Sequence, residues 1–160
     1  DKFGVGMRFV PELSSWYLWT GTYWRQAADI AIEHLAKETV KSLINEAEHH
    51  NEEAAEFFGF CALSQQAKMV RNMVQLASSD PRVMLPAEEL DKHTHLLGVK
   101  NGMVNLTTGD LLPADPQVYI TRSCLCEYNR HAQAPLFERS VREAMFDDTE
   151  RVEYIYRCLG

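Results

Sequence analysis

The stretch from Leu96 to Leu111 restricts the fold more than any other part of this chain. It sets Asn101-Gly102 and Thr108-Gly109 between short apolar runs. Asn-Gly and Thr-Gly suit tight turns because glycine takes a positive φ without a Cβ clash. The segment therefore reads as a strand, a turn at Asn101-Gly102, a second strand and another turn at Thr108-Gly109. That is a pair of hairpins in which Asn101 and Gly102 serve as structural turn residues.

The N-terminal part also reads as β. Met7 to Pro11 forms one short strand. Trp16 to Trp19 and Thr22 to Arg25 form a hairpin around Thr20-Gly21. A two-residue loop there pairs Trp19 with Thr22, Leu18 with Tyr23 and Tyr17 with Trp24. Tyr17, Trp19 and Trp24 then share one face, and Trp16, Leu18 and Tyr23 the other. Aromatics on both faces imply cover on at least one side. They could instead stack single-stranded bases, although aromatics at strand spacing more often pack a core.

Residues 27–48 read as a helix, with Ile32, Leu35, Ala36, Val40, Leu43, Ile44 and Ala47 as one apolar stripe. Glu33 and Lys37 pair at i,i+4 on its outer face. The pattern breaks near His49-His50-Asn51, and a second helix starts near Glu52 and ends or bends at Gly59. Ser64 suits the N-cap of a third helix, Gln65 to Ser78. Ala67, Val70, Met73, Val74 and Ala77 form its buried stripe, and Lys68, Arg71, Asn72 and Gln75 the opposite face. Asp80-Pro81 ends it, because the residue before proline is pushed out of helical geometry. Pro113 and Pro116 mark a loop. Pro135 opens a fourth helix that runs to about Phe146. Asp147 caps a fifth, with Glu150 as its capping-box partner. The fold class is α+β: N-terminal β-hairpin, helical middle, second β-hairpin region and C-terminal helices.

A chain of 160 residues is one domain's worth. It starts at Asp1 without a Met and stops in an amphipathic stretch at Gly160, so a piece excised from a longer protein is expected. No apolar run approaches the ~20 residues of a membrane span, and no signal peptide is visible. Cys61, Cys124, Cys126 and Cys158 form no CxxC pair, which suits a reducing cytoplasm better than a secreted disulfide scaffold.

The net charge of −7 argues against a protein coated by nucleic acid, because phosphate binding rests on Lys and Arg. It leaves room for one basic face. Lys68, Arg71, Asn72 and Gln75 are the candidates for nucleic-acid binding, with Arg71 foremost because a guanidinium forks phosphate well. Lys100 and Arg122 read as ordinary surface charges. There is no G-x-x-x-x-G-K-[ST] loop and no D-x-D pair, so no catalytic residue is assigned. Asp147-Asp148 is the nearest acidic pair, and capping explains Asp147. His93-x-His95 and Cys124-x-Cys126 could form a zinc site only if two strands brought them together. The plainer reading buries the cysteines and leaves the histidines in a polar turn, with no metal.

The wording LLGVKNGMVNLTTGDLLP at 96–113, followed by DPQVYITRSCLCEYNRHAQAPLFER at 115–139, resembles the D5 N-terminal-like domain of phage, plasmid and poxvirus primase-helicases. The resemblance runs from about Trp16 to Gly160. It implies a domain between an N-terminal primase region and a C-terminal superfamily 3 helicase that binds ATP and Mg. The fragment itself would then hold neither. Its implied partners are those adjacent domains, further copies in a homo-oligomer, and single-stranded DNA. The implied role is to link, position or oligomerise the motor and to guide DNA. The alternative is a protein–protein collar without DNA contact. Asn101, Gly102 and Asp110 fall on the family's hairpin, where turn geometry is their implied duty.

Overall fold

Alternating large side chains build the first sheet of this computed structural model, which describes residues 5–47, 59–60 and 62–159. Strand β1 (Met7–Val10), β2 (Ser15–Trp19) and β3 (Trp24–Ala27) lie antiparallel in that order. A 3-10 turn at Pro11–Leu13 joins the first two. The β2–β3 loop differs from expectation. Trp19 pairs with Trp24, so the loop is Thr20–Tyr23 and the register is displaced by two residues. A slip of two preserves the face of every side chain. Tyr17, Trp19 and Trp24 therefore still share a side. The longer loop is closed by the Thr20 amide and hydroxyl, which both donate to the Tyr23 carbonyl at 3.0 and 2.8 Å. It lets Trp19 and Trp24 meet directly, with ring centres 5.6 Å apart.

Both faces of this sheet are covered. Val10, Tyr17, Trp24 and Leu85 form a buried cluster on one side, with Trp19, Leu90 and Tyr119 packed on it. Trp24 is 1% exposed, and its indole N–H donates to the Pro116 carbonyl at 2.8 Å. The Arg8 guanidinium lies 5.5 Å from the Trp24 ring and 5.8 Å from that of Tyr119. With Trp16, Tyr17 and Trp24 buried, the aromatic cluster is a core and not a stacking platform. On the opposite side, Met7 and Trp16 face the helices α1 (Asp29–Ala47) and α2 (Ala67–Ser78) across an apolar cavity of about 140 Å³. Ile32, Ala36 and Val40 are buried on α1, and Val70 on α2. The expected Glu33–Lys37 pair is present at 3.9 Å.

The expected helix start near Glu52 lies outside the described residues, as do the side chains of Leu43, Ile44 and Ala47. Ser64 does not cap α2: residues 62–64 are themselves helical, and extended Gln66 precedes the helix without a side-chain cap. Ala67 is exposed, so the buried stripe of α2 starts at Val70. Beyond Ser78, the Asp80 carboxylate accepts from the Arg82 amide and guanidinium. The Arg82 side chain, foremost, holds that carboxyl at about 2.

The second sheet has the order β4 (Leu96–Val99), β5 (Gly102–Asn105) and β6 (Asp110–Leu112), all antiparallel. Val99 pairs with Gly102, so the turn residues are Lys100 and Asn101, one position before the expected Asn101-Gly102. Two distant contacts explain the displacement. The Asn101 side chain faces Tyr128: its Nδ2 donates to the Tyr128 carbonyl at 3.0 Å, and its Oδ1 accepts from the Tyr128 amide at 2.9 Å. Gly102, at φ +148°, lets the Leu112 carbonyl come close. The Tyr128 hydroxyl donates to the Gly109 carbonyl at 2.6 Å, so one residue ties both hairpin loops. Asn101→Ala removes both bonds to Tyr128 and is expected to cost about 1–2 kcal/mol, since each intramolecular bond contributes about 0.5–1.5. Urea denaturation of the variant checks this.

Each sheet has its first edge strand closed by a later segment running parallel to it. Phe9 bridges Met84, and Gly98 bridges Ser123. An open edge invites pairing with another chain, and these segments remove that hazard. The Asp91 carboxylate fastens the connection between them. It accepts from the Thr121 amide at 2.7 Å and from the Thr121 hydroxyl at 2.5 Å.

Contacts divide the chain into two compact units, Asp1–Tyr128 and Asn129–Gly160. The second holds α3 (Pro135–Ala144), with Pro135 in its first turn as expected, and α4 (Thr149–Leu159). Asp148, not Asp147, caps α4: its Oδ1 accepts from the Glu150 and Arg151 amides at 3.1 and 3.2 Å. Asp147 is left-handed (φ 56°) and ends the preceding turn, its amide donating to the Arg142 carbonyl at 2.9 Å. The residue three beyond the true cap is Arg151, which ion-pairs with Asp148 at 3.2 Å, so Glu150 closes no capping box. The architecture is α+β, with the N-terminal hairpin and C-terminal helices in their expected places.

Candidate nucleic-acid interface

Helix α2 presents the candidate site because its two faces differ sharply in composition. Val70, Met73, Val74 and Ala77 turn toward α1 and the first sheet or are at least half-buried. The opposite arc carries Lys68, Arg71, Asn72 and Gln75, all exposed. Spacings of three and four residues put them on one side, within neighbouring turns. The structure thus brings the four sequence candidates together.

The electrostatics of this arc follow from its local composition. Among the described residues, neither Lys68 nor Arg71 makes an ion pair. By contrast, Lys37, Lys41, Arg82, Lys92, Arg122, Arg139 and Arg151 each lie beside a carboxylate. The cause is in the sequence: residues 57–79 contain no Asp or Glu, although the chain as a whole carries −7. That acid-free run was a readable signal, and the helical pattern alone did not bring it out. Gln66 offers no side-chain cap to the first turn of α2, where Lys68 lies.

A shallow groove continues the arc toward the helix end, lined by Asn72, Gln75, Leu76, Ser78 and Ser79. Leu76 is 72% exposed there. Cations for phosphate, neutral amides for sugar or base edges, and an apolar side chain for a base face are the elements a single strand requires. No group on this arc has the geometry of a nucleophile or a general base.

The other candidates separate. Lys100 is exposed in the β4–β5 turn, and Arg122 lies 3.7 Å from Asp91, so its charge is partly engaged. The His93 and His95 rings meet edge to face at 6.0 Å, but the cysteine pair does not join them. Among the described residues, no group of three or more His, Cys, Asp or Glu is placed to hold a metal ion. Cys124 and Cys126 are exposed, contrary to the expectation that they are buried, because the segment carrying them lies on the outer edge of β4. No helix among the described residues is long and apolar enough to cross a membrane.

The fold is α+β, and α2 carries an exposed polar arc with two cations. The D5 N-terminal-like family profile matches residues 1–146, and the chain belongs to that family. The match ends at Phe146, in the turn between α3 and α4. Neither curated proteins nor solved structures give a significant match. Family membership suggests a role in phage or viral primase-helicase proteins.

Proposed function

We propose that this chain is an accessory domain of a phage- or plasmid-type DNA replication primase-helicase, which guides single-stranded DNA along the outer face of α2. The observation that carries the reading is that Lys68 and Arg71, which make no ion pair among the described residues, lie in a stretch without Asp or Glu in an acidic chain. In the parent protein the domain links the primase and helicase regions and helps the motor form a homo-oligomer. ATP and Mg belong to the helicase domain. They do not fit the residues here, since the sequence has no phosphate-cradling loop.

Titration of the chain onto a labelled oligonucleotide tests this reading. Binding that weakens as salt rises is expected, since phosphate contacts release counterions. The net charge of −7 favours the competing reading, a protein–protein collar without DNA contact. An absence of binding at low salt would overturn DNA guidance by this chain and favour that reading. The isolated chain is also expected to release no phosphate from ATP, with or without single-stranded DNA. Turnover abolished by a point substitution within these residues would contradict that expectation.

A further inference from the structure

The cysteine pair is the second chemically distinctive feature of the surface. Ser123 is bridged to Gly98, and the chain then bends at Leu125 and Cys126. The bend brings the Cys124 and Cys126 sulfurs to 3.1 Å, with both residues exposed. The backbone of each is fixed on β4: the Cys124 amide donates to the Gly98 carbonyl at 2.8 Å, and the Lys100 amide donates to the Cys126 carbonyl at 3.0 Å. Residues two apart in a straight strand are separated by about 6.6 Å between Cα atoms, near the upper limit for a disulfide. The bend shortens that span. Two thiols alone make an incomplete metal site, and the two histidines stay apart from them.

We propose that Cys124 and Cys126 form a thiol–disulfide exchange site whose substrate is a low-molecular-weight disulfide of the glutathione class. One cysteine thiolate attacks a sulfur of the small disulfide. The S–S bond of the small molecule breaks, a mixed disulfide forms and one small thiolate leaves. The second cysteine thiolate then attacks the protein sulfur of that mixed disulfide. The Cys124–Cys126 bond forms and the second small thiolate leaves. Each small thiolate takes up one of the protons lost by the cysteines. Two electrons pass from the protein pair, which is oxidised, to the small disulfide, which is reduced. The contact between the sulfurs favours the second step over release of the mixed disulfide. Cys126's thiol is pushed above its ordinary value, first by its hydrogen bond with Cys124, with Lys100 acting in the opposite sense.

The test uses the 160-residue chain carrying Cys61→Ser and Cys158→Ser, so that only this pair can react. It is incubated with glutathione disulfide, quenched by alkylation and read by intact mass. The expected result is loss of both thiols with no glutathione retained, reversed by excess reduced glutathione. Adding Cys124→Ser or Cys126→Ser is expected to leave one glutathione bound per chain, because the resolving thiol is gone. Glutathione retained on the unsubstituted pair, two thiols that stay free, or disulfide-linked dimers would each overturn the proposal. If the background substitutions prevent folding, peptide mapping of the natural chain reads the same bond directly.

Discussion

Gly102→Ala is expected to destabilise the chain by about 2–5 kcal/mol, far beyond what a glycine in an ordinary turn would show. Two costs add. At φ +148° an L side chain is strained whatever space surrounds it. A Cβ there would also stand 2.3 Å from the Leu112 carbonyl oxygen and 3.2 Å from Leu111 Cδ1. The first of these is backbone, so β6 itself must move. The two costs can be measured separately. Gly21 is also left-handed, at φ +103°, but nothing lies within 4 Å of its missing Cβ. Gly21→Ala should therefore show the backbone term alone, about 1–2 kcal/mol. Gly102→Ala should lower the Tm by on the order of 10 °C. Gly102→Val should be worse, and Lys100→Ala should stay within about 0.5 kcal/mol. Equal Tm values for Gly21→Ala and Gly102→Ala would show that β6 does not approach β5 as described.

That contrast also shows what the sequence carries and where it stops. A period of two assigns the faces of the aromatic hairpin correctly despite the wrong loop, because a slip of two leaves each side chain where it was. The true loop length depends on Trp19 meeting Trp24, a packing event that no dipeptide encodes. Asn-Gly announces a turn, but its position is set by Tyr128, 27 residues away, and by the Leu112 carbonyl. Caps fail for a related reason. Asp147 and Asp148 are equally good capping residues by type, and the left-handed end of α3 decides between them. Ser64 suits a cap by type, yet it belongs to the preceding helical turn. For the site, helical spacing was enough to gather Lys68, Arg71, Asn72 and Gln75. Spacing alone left unstated that the carboxylates beside most other described cations are missing here.

Replacing Lys68 and Arg71 together is expected to give the largest functional effect. They stand one turn apart, about 4.5 Å along the helix axis, so they can address neighbouring phosphates. Each phosphate contact on a single strand contributes about 0.7 to the slope of log affinity against log salt. The double variant should therefore flatten that slope by about 1.4 and weaken binding at low salt at least about tenfold. Stability should be nearly unchanged, because both side chains are exposed and make no ion pair among the described residues.

A control of equal charge separates local contact from overall electrostatics. Lys37 and Lys41 lie on α1, paired with Glu33 at 3.9 Å and Glu38 at 2.8 Å. Lys37→Ala with Lys41→Ala changes the net charge by the same two units. The decisive measurement is the salt dependence of single-stranded DNA binding for the natural chain and both double variants. A slope flattened by about 1.4 in the Lys68/Arg71 variant, with the Lys37/Lys41 variant close to the natural chain, is the predicted result. Equal slopes in all three, or no binding by the natural chain at low salt, would contradict the assignment of α2 as the DNA-guiding face.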